Sequence, residues 1–150
     1  MKRLNLGAGN RILPDSINHD IVKHRPEIDI VWDLNKLPWP WADNEFDVVV
    51  AYAVLEHLKL NLLESMNEIW RILVPNGLVC LKVPYWNSPI SWWDPTHYWK
   101  FDVGSFNIFD PTTKYGRYYK FYGSRTWSIV RPAELNKAKS SIFCDLRAIK

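Results

Sequence analysis

Leu4-Asn5-Leu6-Gly7-Ala8-Gly9-Asn10 opens the chain, and a second short apolar run, Ile17-Asn18-His19-Asp20-Ile21, follows it closely. A strand that ends in Gly-x-Gly exposes backbone N–H groups where bulkier side chains would block a ligand. An acid at the end of the next strand can hold two ribose hydroxyls. The pairing reads as a nucleoside-cofactor site at the carboxyl edge of a parallel sheet. Gly-x-Gly alone also serves simply to close a strand tightly, so the weight lies on the combination.

Outward from this stretch, apolar periodicity predicts strands near 3–7, 17–21, 28–33, 46–53 and 78–84, with two more near 125–133 and 141–149. Leu58, Leu62, Met66, Ile69, Trp70 and Leu73 recur at helical spacing, and Pro75 with Asn76-Gly77 ends that helix. A short helix is expected within Asp102–Phe109. Continuous runs such as Val48-Val49-Val50 suit a parallel sheet covered on both faces. The expected architecture is α/β: a Rossmann-like, mostly parallel sheet of about seven strands with helices on both faces, its last two strands an antiparallel edge hairpin. The segment between Gly9 and Asp20 contains Pro14 and is too short for a crossover helix, so the first crossover is truncated to a turn.

At 150 residues and 47% apolar content the chain has material for one core, hence a single domain over residues 1–150. No apolar run reaches the ~18 residues of a membrane span, and Met1-Lys2-Arg3 leads directly into the glycine motif. A cytoplasmic location and no membrane partner are expected. Cys80 and Cys144 lack metal-ligand spacing and read as buried free thiols; no metal site is expected. The net charge of +3 is unevenly spread: cations outnumber acids only beyond residue 110, which hints at an anionic partner.

Four blocks in order, 4–10, 17–21, 33–39 running on to Phe46–Leu58, and Glu68-Ile-Trp-Arg-Ile-Leu-Val-Pro-Asn-Gly77, resemble the class I S-adenosylmethionine-dependent methyltransferases, in particular their short stand-alone members. The resemblance implies S-adenosylmethionine as cofactor, leaving as S-adenosylhomocysteine. It assigns cofactor contacts to Asn5, Gly7, Ala8, Gly9, Asp20 (ribose), Asp33 with the Leu34 amide (adenine) and Tyr52. Relatives usually carry an acid where Asn5 stands. The N-terminal helices that cover the cofactor in longer relatives have no counterpart here, so an open pocket is expected, closed by the segment after strand five or by a second copy in a homodimer. Trp39 and Trp41 match a position that packs under the sheet.

Glu56-His57 follows strand four, at the edge where acceptors bind in this fold; it either takes part there or caps the next helix. Tyr85–Phe101 gathers Trp86, Trp92, Trp93, Tyr98 and Trp99 around Asp94-Pro95-Thr96-His97. Such a segment forms an acceptor wall or a structural lid, and His97, His57 and Tyr98 are the candidate proton-handling groups. His19 and His24 are expected to be exposed. Lys114–Arg131 interleaves cations with Tyr115, Tyr118, Tyr119, Phe121, Tyr122 and Trp127 without an acid, a pattern compatible with nucleic acid or with a solvated loop; most of these aromatics are expected to pack inward. The expected function is methyl transfer to a small-molecule acceptor. A nucleic-acid acceptor and a non-catalytic Rossmann-like binding module remain the alternatives.

Overall fold

The computed structural model describes residues 1–150, apart from the side chains of Tyr119 and Lys120; what the sequence suggests for those two side chains lies outside the described residues. Seven strands, β1 (Arg3–Leu6), β2 (Ile17–Asp20), β3 (Ile30–Val31), β4 (Phe46–Tyr52), β5 (Leu73–Pro84), β6 (Trp127–Leu135) and β7 (Ser141–Ala148), form one sheet in the order β3-β2-β1-β4-β5-β7-β6. The first five are parallel, and β7 pairs antiparallel with both β5 and β6. This is the expected Rossmann-like α/β sheet with its antiparallel edge hairpin.

Helix α1 (Leu62–Ile72) joins β4 to β5 and starts later than the apolar spacing suggests. Asn61 fixes the start through a capping box: its Oδ1 accepts from Glu64 N–H at 2.9 Å, while Glu64 Oε2 accepts from Asn61 N–H at 3.0 Å. Met66, Ile69 and Ile72 bury one stripe of the helix against Leu4, Leu6, Val49, Ala51, Val79 and Leu81, which register onto one face of the sheet. Truncation reaches further than the first crossover. Between β2 and β3, and between β3 and β4, the chain also returns by turns. The opposite sheet face, with Arg3, Tyr52, Cys80, Lys82 and Asp145, is in consequence only half-buried, as is the Cys80 thiol. The helix expected within 102–109 is a single 3-10 turn, Asn107–Phe109.

Asn5 and Asn18 stand in for the missing first helix. Asn5 Nδ2 donates to Arg11 O at 2.8 Å and to Asn18 Oδ1 at 2.9 Å, and Asn18 exchanges hydrogen bonds with the Leu13 backbone. Two buried amides thereby satisfy backbone groups that a helix would have paired internally. Trp39 and Trp41 are buried as expected. Arg71 holds them there, its guanidinium donating to Trp39 O, Trp41 O, Glu68 and Asp43 at 2.8–3.1 Å. Arg71→Met leaves Glu68 and two carbonyls without that donor. A loss of about 2 kcal/mol is expected in urea unfolding; an unchanged midpoint would remove Arg71 from this role.

Tyr115, Tyr118, Phe121 and Tyr122 are exposed, against the expectation that they pack inward; of that region's described aromatics Trp127 alone enters the core. Tyr118, Phe121 and Tyr122 lie in a 3-10 segment, Gly116–Tyr122, ahead of edge strand β6, and that segment supplies no strand pairing. Among the described residues no helix is long and apolar enough to cross a membrane.

Candidate functional site

Two cavities open at the carboxyl ends of the parallel strands, and they share Ala53 and His57. The first, about 300 Å³, is lined by Gly7, Gly9, Asp20, Asp33, Leu34 and the apolar side chains of Ile21, Trp32, Val54 and Leu58, among others. Gly7 and Gly9 both have positive φ, +56° and +52°. Their loop was expected to offer free N–H groups, yet all three amides are engaged with the end of β2. Gly7 N–H donates to His19 Nδ1 (3.3 Å), Ala8 N–H to His19 O (2.8 Å) and Gly9 N–H to Asp20 Oδ2 (2.7 Å). What the glycines give a ligand is therefore room rather than donors.

His19 is buried, against the expectation that it is exposed. It is 1% exposed, bridges the Gly7 amide to Trp32 O through Nε2 (3.0 Å), and burial lowers its pKa, so it sits neutral with its proton on Nε2. Only the position of His19 one residue before the strand-end acid could have signalled this. His24 is exposed as expected.

Asp20 reaches the first cavity with one lone pair of each oxygen spent on the backbone, Oδ2 on Gly9 N–H and Oδ1 on Ile21 N–H. Asp33 Oδ1 accepts from the Asn35 backbone and side chain, both at 3.0 Å, closing a turn, while its Oδ2 accepts no hydrogen bond among the described residues. Asn5, Ala8 and Tyr52 are not brought to the lining. Asn5 serves the shortened loop, Ala8 is packed against β2, and the Tyr52 ring lies under the Arg11 guanidinium (4.2 Å) and against Phe143.

The second cavity, about 580 Å³, lies between β5 and the Trp-rich segment and is lined by Glu56, His57, Lys82, Trp93, Asp94 and His97, among others. Leu55–His57 forms a single 3-10 turn after β4, and Ala53 just before it has φ +57°, a strained value for alanine at the point where the cavities meet. The rings of His57 and His97 meet edge to face with centroids 4.6 Å apart. Thr96 Oγ1 donates to Asp94 Oδ1 (2.6 Å), so its lone pair faces His57 Nδ1 (2.8 Å). That relay places the His57 proton on Nδ1 and leaves Nε2 as a base. Burial, and then the neighbouring His97, lower the His57 pKa.

Tyr98 does not join this group: it is half exposed, with Lys59 over its ring. The Trp-rich segment is tied down at many points. Trp86, Trp92 and Trp99 each donate from Nε1, to Asp102, Trp86 O and Leu58 O, and Tyr98 N–H donates to Glu56 O. A short helix α2 (Ile90–Trp93) leaves Trp93 exposed at the cavity mouth.

Glu56 is 1% exposed, its Oε2 has no partner among the described residues, and burial raises its pKa from 4.5 to about 7. Between those values the unfolded chain is ionised while the folded one keeps its proton, so the group's contribution to stability falls as pH rises from about 4.5 to 7. Buried His19 acts in the opposite sense, losing stability as pH drops below 6.5. Against that background Glu56→Gln is expected to raise the melting temperature more at pH 8 than at pH 5. An equal shift at both would place the Glu56 pKa near its ordinary value.

Residues 16–81 match a family model described as a methyltransferase domain. No curated protein matches the sequence. Among solved structures the chain is similar to YcgJ from Bacillus subtilis (12% identity, TM-score 0.63, covering 99% of this chain and 92% of that one). It is similar to an S-adenosylmethionine-dependent methyltransferase from Archaeoglobus fulgidus (15%, 0.65, 97% and 85%). It also resembles the [4+2]-cyclase SpnF (12%, 0.66, 99% and 74%).

Proposed function

We propose that this chain, whose fold is that of the class I S-adenosylmethionine-dependent methyltransferases, binds S-adenosylmethionine in the smaller cavity and methylates a small-molecule acceptor in the larger one. The observation that carries the reading is the junction at Ala53 and His57, because methyl transfer needs donor and acceptor aligned across one short gap. The cofactor fits the residues present. The Asp20 carboxylate suits ribose hydroxyls, Asp33 Oδ2 suits an adenine amino group, and Trp32, Leu34 and Leu58 suit the flat face of the base.

When bound, S-adenosylmethionine supplies an electrophilic methyl group, whose bond to sulfur breaks with the electron pair remaining on sulfur. The chain's own work is alignment and proton removal. His57 lines both cavities, and in this reading its Nε2 takes a proton from a hydroxyl or amine acceptor, while Nδ1–H is held by Thr96 and, through it, by Asp94. A cavity of about 580 Å³ accommodates a metabolite-sized acceptor.

Fold alone does not fix the reaction, since a cyclase shares it. Titration calorimetry with S-adenosylhomocysteine, S-adenosylmethionine, NAD and ATP tests the cofactor, and labelled methyl transfer to hydroxyl- and amine-bearing panels tests turnover. Binding of the two sulfur nucleosides is expected. Binding of NAD alone would overturn the reading. Exposed Tyr115, Tyr118 and Tyr122 beside Lys114, Arg117 and Arg125 favour nucleic acid as the second acceptor class, and strongly salt-dependent RNA or DNA binding would promote it.

A further inference from the structure

We propose that Glu56, His57 and His97 form a binding site for one divalent transition-metal cation, facing the larger cavity. One donor atom from each lies within 4.8 Å of the others. The chemistry of the set is that of a transition-metal site, two imidazoles and one carboxylate with the remaining positions open.

Three further observations support it. Each histidine is already held through Nδ1, His57 by Thr96 Oγ1 at 2.8 Å and His97 near Ser91 O at 3.3 Å. An oxygen partner on one ring nitrogen leaves the other, Nε2, as the free lone pair, which is how metal-ligating histidines are oriented. Glu56 is among the residues lining the same cavity, and its Oε2 is buried without a partner among the described residues. A buried polar atom left unpaired is costly, and a cation between it and the two rings removes that cost. Finally, Asp94 Oδ2 stands 3.9 Å from His97 Nε2, close enough to balance charge or enter as a fourth oxygen donor. Donors around a tetrahedral cation stand about 3.4 Å apart, so the three donor atoms, already within 4.8 Å of one another, have only a short distance to close.

The cluster was invisible in sequence because residues 56–57 and 97 are joined only by the fold, with Tyr98 and Trp99 N–H both reaching Glu56 O. Cation binding does not depend on methyl transfer, and its failure would leave the cofactor reading intact; a bound cation would take the His57 Nε2 lone pair, so the proton-accepting role proposed for that atom belongs to the cation-free protein.

The experiment is titration calorimetry of metal-stripped full-length protein with Zn²⁺, alongside the visible spectrum of a Co²⁺ titration. One equivalent per chain is expected, with Co²⁺ bands of four- or five-coordinate intensity. His97→Ala and Glu56→Gln should each weaken Zn²⁺ by at least roughly tenfold, and Thr96→Val by less, as expected for a group behind a ligand. Circular dichroism and S-adenosylhomocysteine affinity of His97→Ala report whether the variant is folded. If it is not, the Thr96→Val titration decides in its place. No saturable binding by the wild-type protein, or binding unchanged in folded variants, overturns the proposal.

Discussion

Gly7→Ala is expected to cost roughly 2–4 kcal/mol of stability, the sum of a left-handed backbone forced on alanine and of overpacking against a fixed neighbour. Gly7 has φ +56°, and a Cβ built on it would stand 2.6 Å from Val54 Cγ2. Val54 is itself buried and follows the strained Ala53, so it has little freedom to retreat. Gly9 supplies the internal control. Its φ is +52°, but the nearest atom to an added Cβ is 4.0 Å away, so Gly9→Ala should cost only the backbone part, about 1 kcal/mol. A double-mutant cycle with Val54→Ala separates the terms, since removing the valine methyls relieves the clash and leaves φ untouched. The double variant should be more stable than the two single costs add up to, by at least about 1 kcal/mol. Strict additivity in urea melts would mean that the loop moves away from Val54 instead.

The glycine loop, the strand-end acid Asp20 and the succession of strands along the chain follow from local pattern, and Asp33 from the resemblance. The first three depend on residues close in the chain, and on alternation that a parallel sheet imposes. The buried position of Trp39 and Trp41 follows from the family resemblance rather than from alternation. Local pattern misses what depends on distant partners. His19 looks like a polar strand residue until the glycine loop folds onto β2 and gives its ring both a donor and an acceptor. Asn5 stands at a ligand-contact position of the motif, yet the shortened crossover claims both its amide hydrogens. Tyr52 and Tyr98 bracket the site in sequence and point elsewhere in space, each drawn against a cation. Exposed Tyr118, Phe121 and Tyr122 cannot be placed from periodicity, because a 3-10 turn carries no helical or strand alternation to read.

Asp20→Ala should weaken S-adenosylhomocysteine by about 1.5–3 kcal/mol, roughly 10- to 150-fold in calorimetry, the worth of hydrogen bonds to an ionised group. The carboxylate does two jobs, and the variant removes both: ribose recognition in the proposed reading, and the anchor that holds Gly9 N–H at 2.7 Å. Asp20→Asn separates them. Its amide keeps one acceptor oxygen for the loop but loses the charge and one of the two backbone acceptors, so fold stability should be closer to wild type than in Asp20→Ala while affinity stays low. If instead Asp20→Asn binds as tightly as the wild type, the charge has no part in recognition and Asp20 is a loop anchor alone. The ribose contact would then pass to another group lining the smaller cavity, and Asp33, whose Oδ2 has no partner among the described residues, is the acid left to test.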